Sequence, residues 1–265
     1  MDADGFTVVS KKKAAKRRSA KPPANYISTS EENVEDCLRK IIQAREDLQA
    51  SEGFITFQEN LNEIKSSLQK QKKDACQISS IVCYGLGQVS QSRIARYQTG
   101  LLMFIQEYFD VGVEVFDPAF SLLDERVLDL LNFTVVRKNE EGKKSVSTLT
   151  LFYMPHCGKE LYNNLLWANW NVEALPLCVI IGNSFSTIVQ NVPSRILKQY
   201  YNFIERAEML YKEYPLKSLV EYDDVFNDIS IHVMKKEIAL SEKEKLFEGC
   251  NEPDYVGCEA EIVRT

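Results

Sequence analysis

The pattern of this sequence predicts an α/β protein: a largely parallel sheet flanked by helices, with two further helices ahead of it. Three observations predict it. Short apolar runs alternate with longer stretches of helical periodicity from Ile78 to Val233. Several of those runs stop at a turn residue, as a buried strand does where it leaves the sheet: Gly85, Asp117-Pro118, Pro155 and Gly182-Asn183. The chain has 265 residues, 45% of them hydrophobic and 26% charged, enough to bury a sizeable core.

Residues 1–25 read as a disordered basic arm, 26–240 as the α/β domain and 241–265 as a weakly ordered acidic tail. Thr29 with Glu32 fits a capping box, and Val34, Leu38, Ile41, Ile42 and Leu48 follow at helical spacing. Phe54, Phe57, Leu61, Ile64 and Leu68 form a second stripe. Both stripes are read as packing surface that covers one side of the sheet. Ile78–Tyr84 is the first strand, and Ile94–Tyr108 the helix after it. Val113–Phe116 is a strand, Leu122–Leu131 a helix and Phe133–Val136 a strand. Lys138–Ser147 is a charged loop or a hairpin turn centred on Glu141-Gly142. Thr148–Met154 is a strand, Glu160–Trp170 a helix and Leu177–Ile181 a strand. Pro193 suits the first turn of a long helix running to about Tyr211, and Ile229, Ile231 and Val233 alternate with polar residues as a last strand.

Charge excludes one function class. Of the net −6, residues 1–24 carry +5 and the rest −11, so the folded body lacks the basic face that direct nucleic-acid binding needs. The Lys11–Lys21 cluster resembles a nuclear-import signal. The start is polar and then basic, unlike a secretory leader, and the longest apolar runs fall far short of the roughly 20 residues of a membrane span. The seven cysteines are scattered, with no CxxC pair, which fits a reducing compartment. The expected location is the cytoplasm, with the nucleus as a second address.

Gly85-Leu86-Gly87-Gln88-Val89-Ser90 follows a strand and opens a helix, the context of a dinucleotide-binding turn with Ser90 in place of the third glycine. This makes the sheet Rossmann-like. Gly85, Gly87 and Ser90 are candidate ligand contacts through the turn, and Asp117 is placed to accept from a ribose hydroxyl. Asn183 and Ser184 end another strand and are candidates for the same crevice. His156 and Cys157 also follow a strand end. An imidazole beside a thiol suggests a base with a nucleophile, or soft metal ligands, although adjacent residues rarely point the same way. Asp228, Ser230 and His232 share one face of the last strand, which lines either a cleft or solvent. His156, Cys157, Asp228 and His232 are thus the candidates for chemistry. No catalytic reaction follows from them, no resident cofactor is specified, and tetrahedral zinc spacing is absent.

Five segments occur together in order: Tyr84-Gly85-Leu86-Gly87, Phe116-Asp117-Pro118, Tyr153-Met154-Pro155-His156-Cys157, Gly182-Asn183-Ser184-Phe185, and Phe226-Asn227-Asp228 followed by Ser230-Ile231-His232. Together they resemble the Sensitivity to Red Light Reduced (SRR-like) family over about residues 78–233. With its basic head, the chain is most similar to the animal branch. The resemblance implies a Rossmann-like domain and a regulatory role, with links to circadian-clock function and, outside plants, to regulation of haem biosynthesis. It implies protein partners that it does not name. The competing expectation is an enzyme or sensor that binds a nucleotide-like small molecule at the glycine turn. Direct haem or metal binding by His156, Cys157 and His232 is a third.

Overall fold

The computed structural model describes residues 30–69, 77–217, 219–235 and 247–258. Thr29, the basic arm and the import-like cluster lie outside the described residues. Helices α1 (Glu31–Gln49) and α2 (Glu52–Gln69) come first, with Ser30 at the N-cap of α1. Then follow β1 (Ser80–Tyr84), α3 (Arg93–Phe109), β2 (Val113–Phe116), α4 (Leu122–Leu130), β3 (Phe133–Val135), β4 (Thr150–Met154) and α5 (Lys159–Ala168). A 3-10 turn at Leu175–Leu177 leads into β5 (Cys178–Asn183), α6 (Phe185–Asn191), α7 (Ser194–Tyr200), α8 (Asn202–Leu210), β6 (Tyr211–Pro215), α9 (Asp223–Phe226) and β7 (Ile229–Met234).

The strands form one sheet in the order β3-β2-β1-β4-β5-β7-β6. The first five are parallel; β7 runs antiparallel to β5, and β6 antiparallel to β7. Alternate strand residues face two cores. Ile81, Cys83, Val115, Leu151, Tyr153 and Ile181 pack beneath α1–α4 and α9, while Val82, Tyr84, Phe152, Met154 and Ile180 pack against α5–α8. Burial on both faces is why the central strands read as unbroken apolar runs. The two N-terminal stripes do cover one side of the sheet: Ile41, Leu48, Leu61 and Ile64 are all within the first core.

Besides α6 and α9, which the sequence reading does not contain, three segments differ from it. The long helix after Pro193 is two helices broken at Tyr201 (φ −130°), and Pro193 is an N-cap rather than a first-turn residue. The chain then turns into β6, a strand the periodicity does not reveal. Residues 247–258, expected to be weakly ordered with the rest of the tail, lie against α5. Tyr255 is buried there because its hydroxyl donates to Asn164 Oδ1 (2.8 Å) and accepts from Asn163 Nδ2 (3.1 Å). Among the described residues no helix is long and apolar enough to cross a membrane.

Candidate functional site

Strand order reverses between β1 and β4, which opens a crevice at their carboxyl ends. A cleft of about 240 Å³ occupies it, lined by Tyr84 and Gly85 at the end of β1, Phe116 and Asp117 at the end of β2, and His156 and Leu161 around the start of α5. The structure therefore brings Gly85, Asp117, His156 and Cys157 to one place.

Each is held there by local chemistry. Gly85 has φ +69°, and a Cβ on it would come within 2.6 Å of Cys157 Sγ. Cys157 is buried, and its thiol donates to the Tyr84 carbonyl (3.3 Å). Burial, reinforced by the Asp117 carboxylate, pushes that thiol well up, so it stays protonated at neutral pH. A protonated, buried thiol is a packing group, not a nucleophile. Gly85→Ala is expected to cost about 2 kcal/mol, part from the left-handed backbone and part from the overlap with sulfur. Adding Cys157→Ala should recover only the second part, as denaturant melts of the single and double variants would show.

His156 is exposed and sits at φ +56°. Its N–H donates to Asn183 Oδ1 (2.9 Å), and Asn183 Nδ2 donates back to the Cys157 carbonyl (3.2 Å). Nε2 lies 3.0 Å from the Val225 carbonyl, which can only accept, so Nε2 carries the proton and Nδ1 the lone pair. Asn183 is thus a brace behind the cleft.

The glycine turn is not an open phosphate cradle. Gly87 N–H donates to Asp117 Oδ2 (2.7 Å), and Ser90 N–H donates to Asp124 Oδ1 (2.8 Å). Asp117 Oδ1 accepts from Ala119 N–H (2.8 Å), so both of its oxygens are engaged in the chain's own turn rather than left for a ribose. Helix α3 starts only at Arg93, and Ser92 Oγ caps it by accepting from Ala95 N–H (3.2 Å). The protein's own carboxylates stand where a pyrophosphate would take its donors.

Ser184 and His232 serve elsewhere. Because β7 is antiparallel, His232 pairs with Ile180, three residues back from the β5 end at Asn183, and is fully buried. Its ring lies 4.1 Å from Phe185, Nδ1–H donates to the Ile180 carbonyl (3.1 Å), and Nε2 accepts from Phe185 N–H (3.4 Å). Ser186 N–H donates to Glu213 Oε1 (2.9 Å) and Thr187 N–H to Ser184 Oγ (3.1 Å). Three successive amides at the start of α6 are thereby satisfied by three different strand or cap residues. On the polar face of the last strand, His232 meets a helix end, not the cleft. Asp228 is exposed beside the β5 end, and its carbonyl accepts from Ser184 N–H (2.7 Å).

Tyr84, Phe116 and Leu161 line the cleft although none is among the site candidates read from the sequence, and Asp124 secures the turn. Ser121-x-x-Asp124 is a capping signature that could have revealed the last of these. Glu213 lies on the unforeseen β6 and left no such sign. Among the described residues no group of three His, Cys, Asp or Glu side chains is placed to hold a metal ion.

Comparison with known proteins identifies the family. The SRR1 domain family matches residues 58–233, beginning inside α2 rather than at β1. An SRR1-like protein of Mus musculus is 37% identical over 188 residues, covering 69% of this chain and 74% of its own length. An SRR1-like protein of Drosophila melanogaster is 27% identical over 252 residues, covering 92% and 87%. Protein SENSITIVITY TO RED LIGHT REDUCED 1 of Arabidopsis thaliana is 32% identical over 150 residues, covering 55% and 54%. With the family match spanning the sheet from α2 to β7, the chain belongs to the SRR1 domain family.

Proposed function

We propose that this chain is a regulatory protein acting on haem biosynthesis and on circadian clock gene expression, through protein partners, in the cytoplasm and nucleus. Membership of the SRR1 domain family carries this reading. The site supports a regulatory rather than a catalytic role, because Cys157 and His232 are engaged in packing and helix capping. Depleting the protein from cells is expected to change both haem content and the rhythm of clock transcripts, and re-expression should restore them. Both quantities unchanged after depletion would overturn the proposal.

A second reading is a sensor of a nucleotide-like small molecule. The cleft at the reversal of strand order favours it, since open α/β sheets bind ligands there. Direct haem binding is disfavoured on size. The cleft's 240 Å³ lies below the roughly 300–1,000 Å³ of pockets for drug-sized ligands, and His232 is buried beneath α6.

A further inference from the structure

Resting on the sensor reading, we infer that the cleft between β1 and β4 takes a phosphate-free heteroaromatic ring, of nucleobase or nicotinamide size, and discriminates against the phosphorylated form.

Size and lining set the ring. A cleft of 240 Å³ holds one single or fused ring and little more. Tyr84, Phe116, Pro118 and Leu161 provide carbon walls. The Tyr84 and Phe116 rings meet edge to face at 6.5 Å, so two aromatic groups border the space. His156, with its proton on Nε2, adds a lone pair on Nδ1 for a ring N–H or exocyclic amine.

Charge sets the exclusion. In a dinucleotide fold the phosphate is held by the glycine-turn amides and the helix that follows. Here Gly87 N–H and Ser90 N–H are bonded to Asp117 and Asp124, and the α3 terminus is capped by Ser92. A phosphate at the turn would displace a carboxylate already bonded there, and one in the cleft would face the Asp117 wall. Glu140 accepts from the Tyr84 hydroxyl (3.5 Å) but is paired with Lys138 (3.6 Å), so the uncompensated charge facing the cleft is that of Asp117. Opposing it is the N-terminus of α5, where Gly158 offers no side-chain cap. A helix end carries about half a positive charge, less than the full charge of the Asp117 carboxylate.

The test uses the full chain and ligand-observed saturation-transfer NMR, with adenosine, cytidine and nicotinamide as phosphate-free probes and AMP as the charged partner of adenosine. At least one phosphate-free probe should bind, with adenosine at least tenfold tighter than AMP. That gap should narrow in Asp117→Asn. Pro118 is exposed at the rim, so Pro118→Trp should fill the cleft and abolish the signal while the melting temperature holds. AMP binding as tightly as adenosine would overturn the phosphate exclusion and leave the sensor reading standing. No probe binding to the folded wild type would overturn both. A signal that survives in Pro118→Trp would place the ligand elsewhere and overturn the assignment to this cleft.

Discussion

Asp124→Ala is expected to remove about 4 kcal/mol of stability, a large share of the roughly 5–15 kcal/mol that holds a domain folded. Asp124 is fully buried at the start of α4. Its Oδ1 accepts from Ser90 N–H (2.8 Å), and its Oδ2 accepts from Ser121 N–H (2.8 Å) and Ser121 Oγ (2.6 Å). The Asp124 N–H donates in turn to Ser121 Oγ (3.2 Å), which closes a reciprocal cap. Hydrogen bonds to a charged group contribute about 1.5–3 kcal/mol each, and truncation also leaves their donors unpaired. Losing the cap adds about 1 kcal/mol. Non-additivity keeps the total nearer 4 kcal/mol than the sum. Asp124→Asn retains one acceptor and should cost about half as much. Urea melts of both variants check this; a loss under 1 kcal/mol in Asp124→Ala would show that water replaces the carboxylate and that the glycine turn does not depend on it.

How much of this was legible follows from where each residue sits. β1, β4 and β5 are covered on both faces, so nothing polar interrupts Ile81–Tyr84 or Val179–Ile181, and the sequence reveals them. The turn residues at their ends were legible for the same reason. β6 was not. Tyr211-Lys212-Glu213-Tyr214 follows α8 without a glycine or proline, and an edge strand half in water shows little apolar pattern. α6 was hidden behind Asn183-Ser184, which reads equally as a loop. Without α6 and β6, the amides that His232 and Glu213 satisfy have no place in the argument. The polar alternation of Asp228, Ser230 and His232 then reads as the lining of a cleft or as a wet face, when His232 caps the start of α6. The glycine turn is a different case. Its shape was read correctly, but periodicity cannot show that Asp117 and Asp124, 30 and 34 residues beyond their amide partners, take the donors a ligand would need.

His232 makes the fold sensitive to mild acid, and lowering the pH from 7 to 4 is expected to remove about 3 kcal/mol through this residue. Burial of the ring pushes its pKa from 6.5 down to about 4, against the opposing pull of Glu213 and of the Ile180 and Ser230 carbonyls. The folded state therefore holds the neutral imidazole, whose Nε2 lone pair receives Phe185 N–H. The unfolded chain takes up a proton near pH 6.5, while the folded chain resists until about 4. Stability from this residue is fully present above pH 6.5, declines as the pH falls, and levels off below about 4. Glu213 adds a separate, more acidic loss. Burial alone would push its carboxyl up, but the attraction of His232 once that ring is protonated, together with the hydrogen bonds from Ser184 and Ser186, leaves it below its ordinary value, so it is protonated only in more acidic solution. Above pH 5 the change therefore belongs to His232. His232→Phe keeps a flat ring against Phe185 but gives up the acceptor, so it should be less stable at pH 7 and nearly indifferent to pH between 7 and 5. Urea melts of wild type and variant across this range decide it: parallel curves would mean that the buried imidazole is already protonated, and that its cap on α6 has been read with the wrong proton.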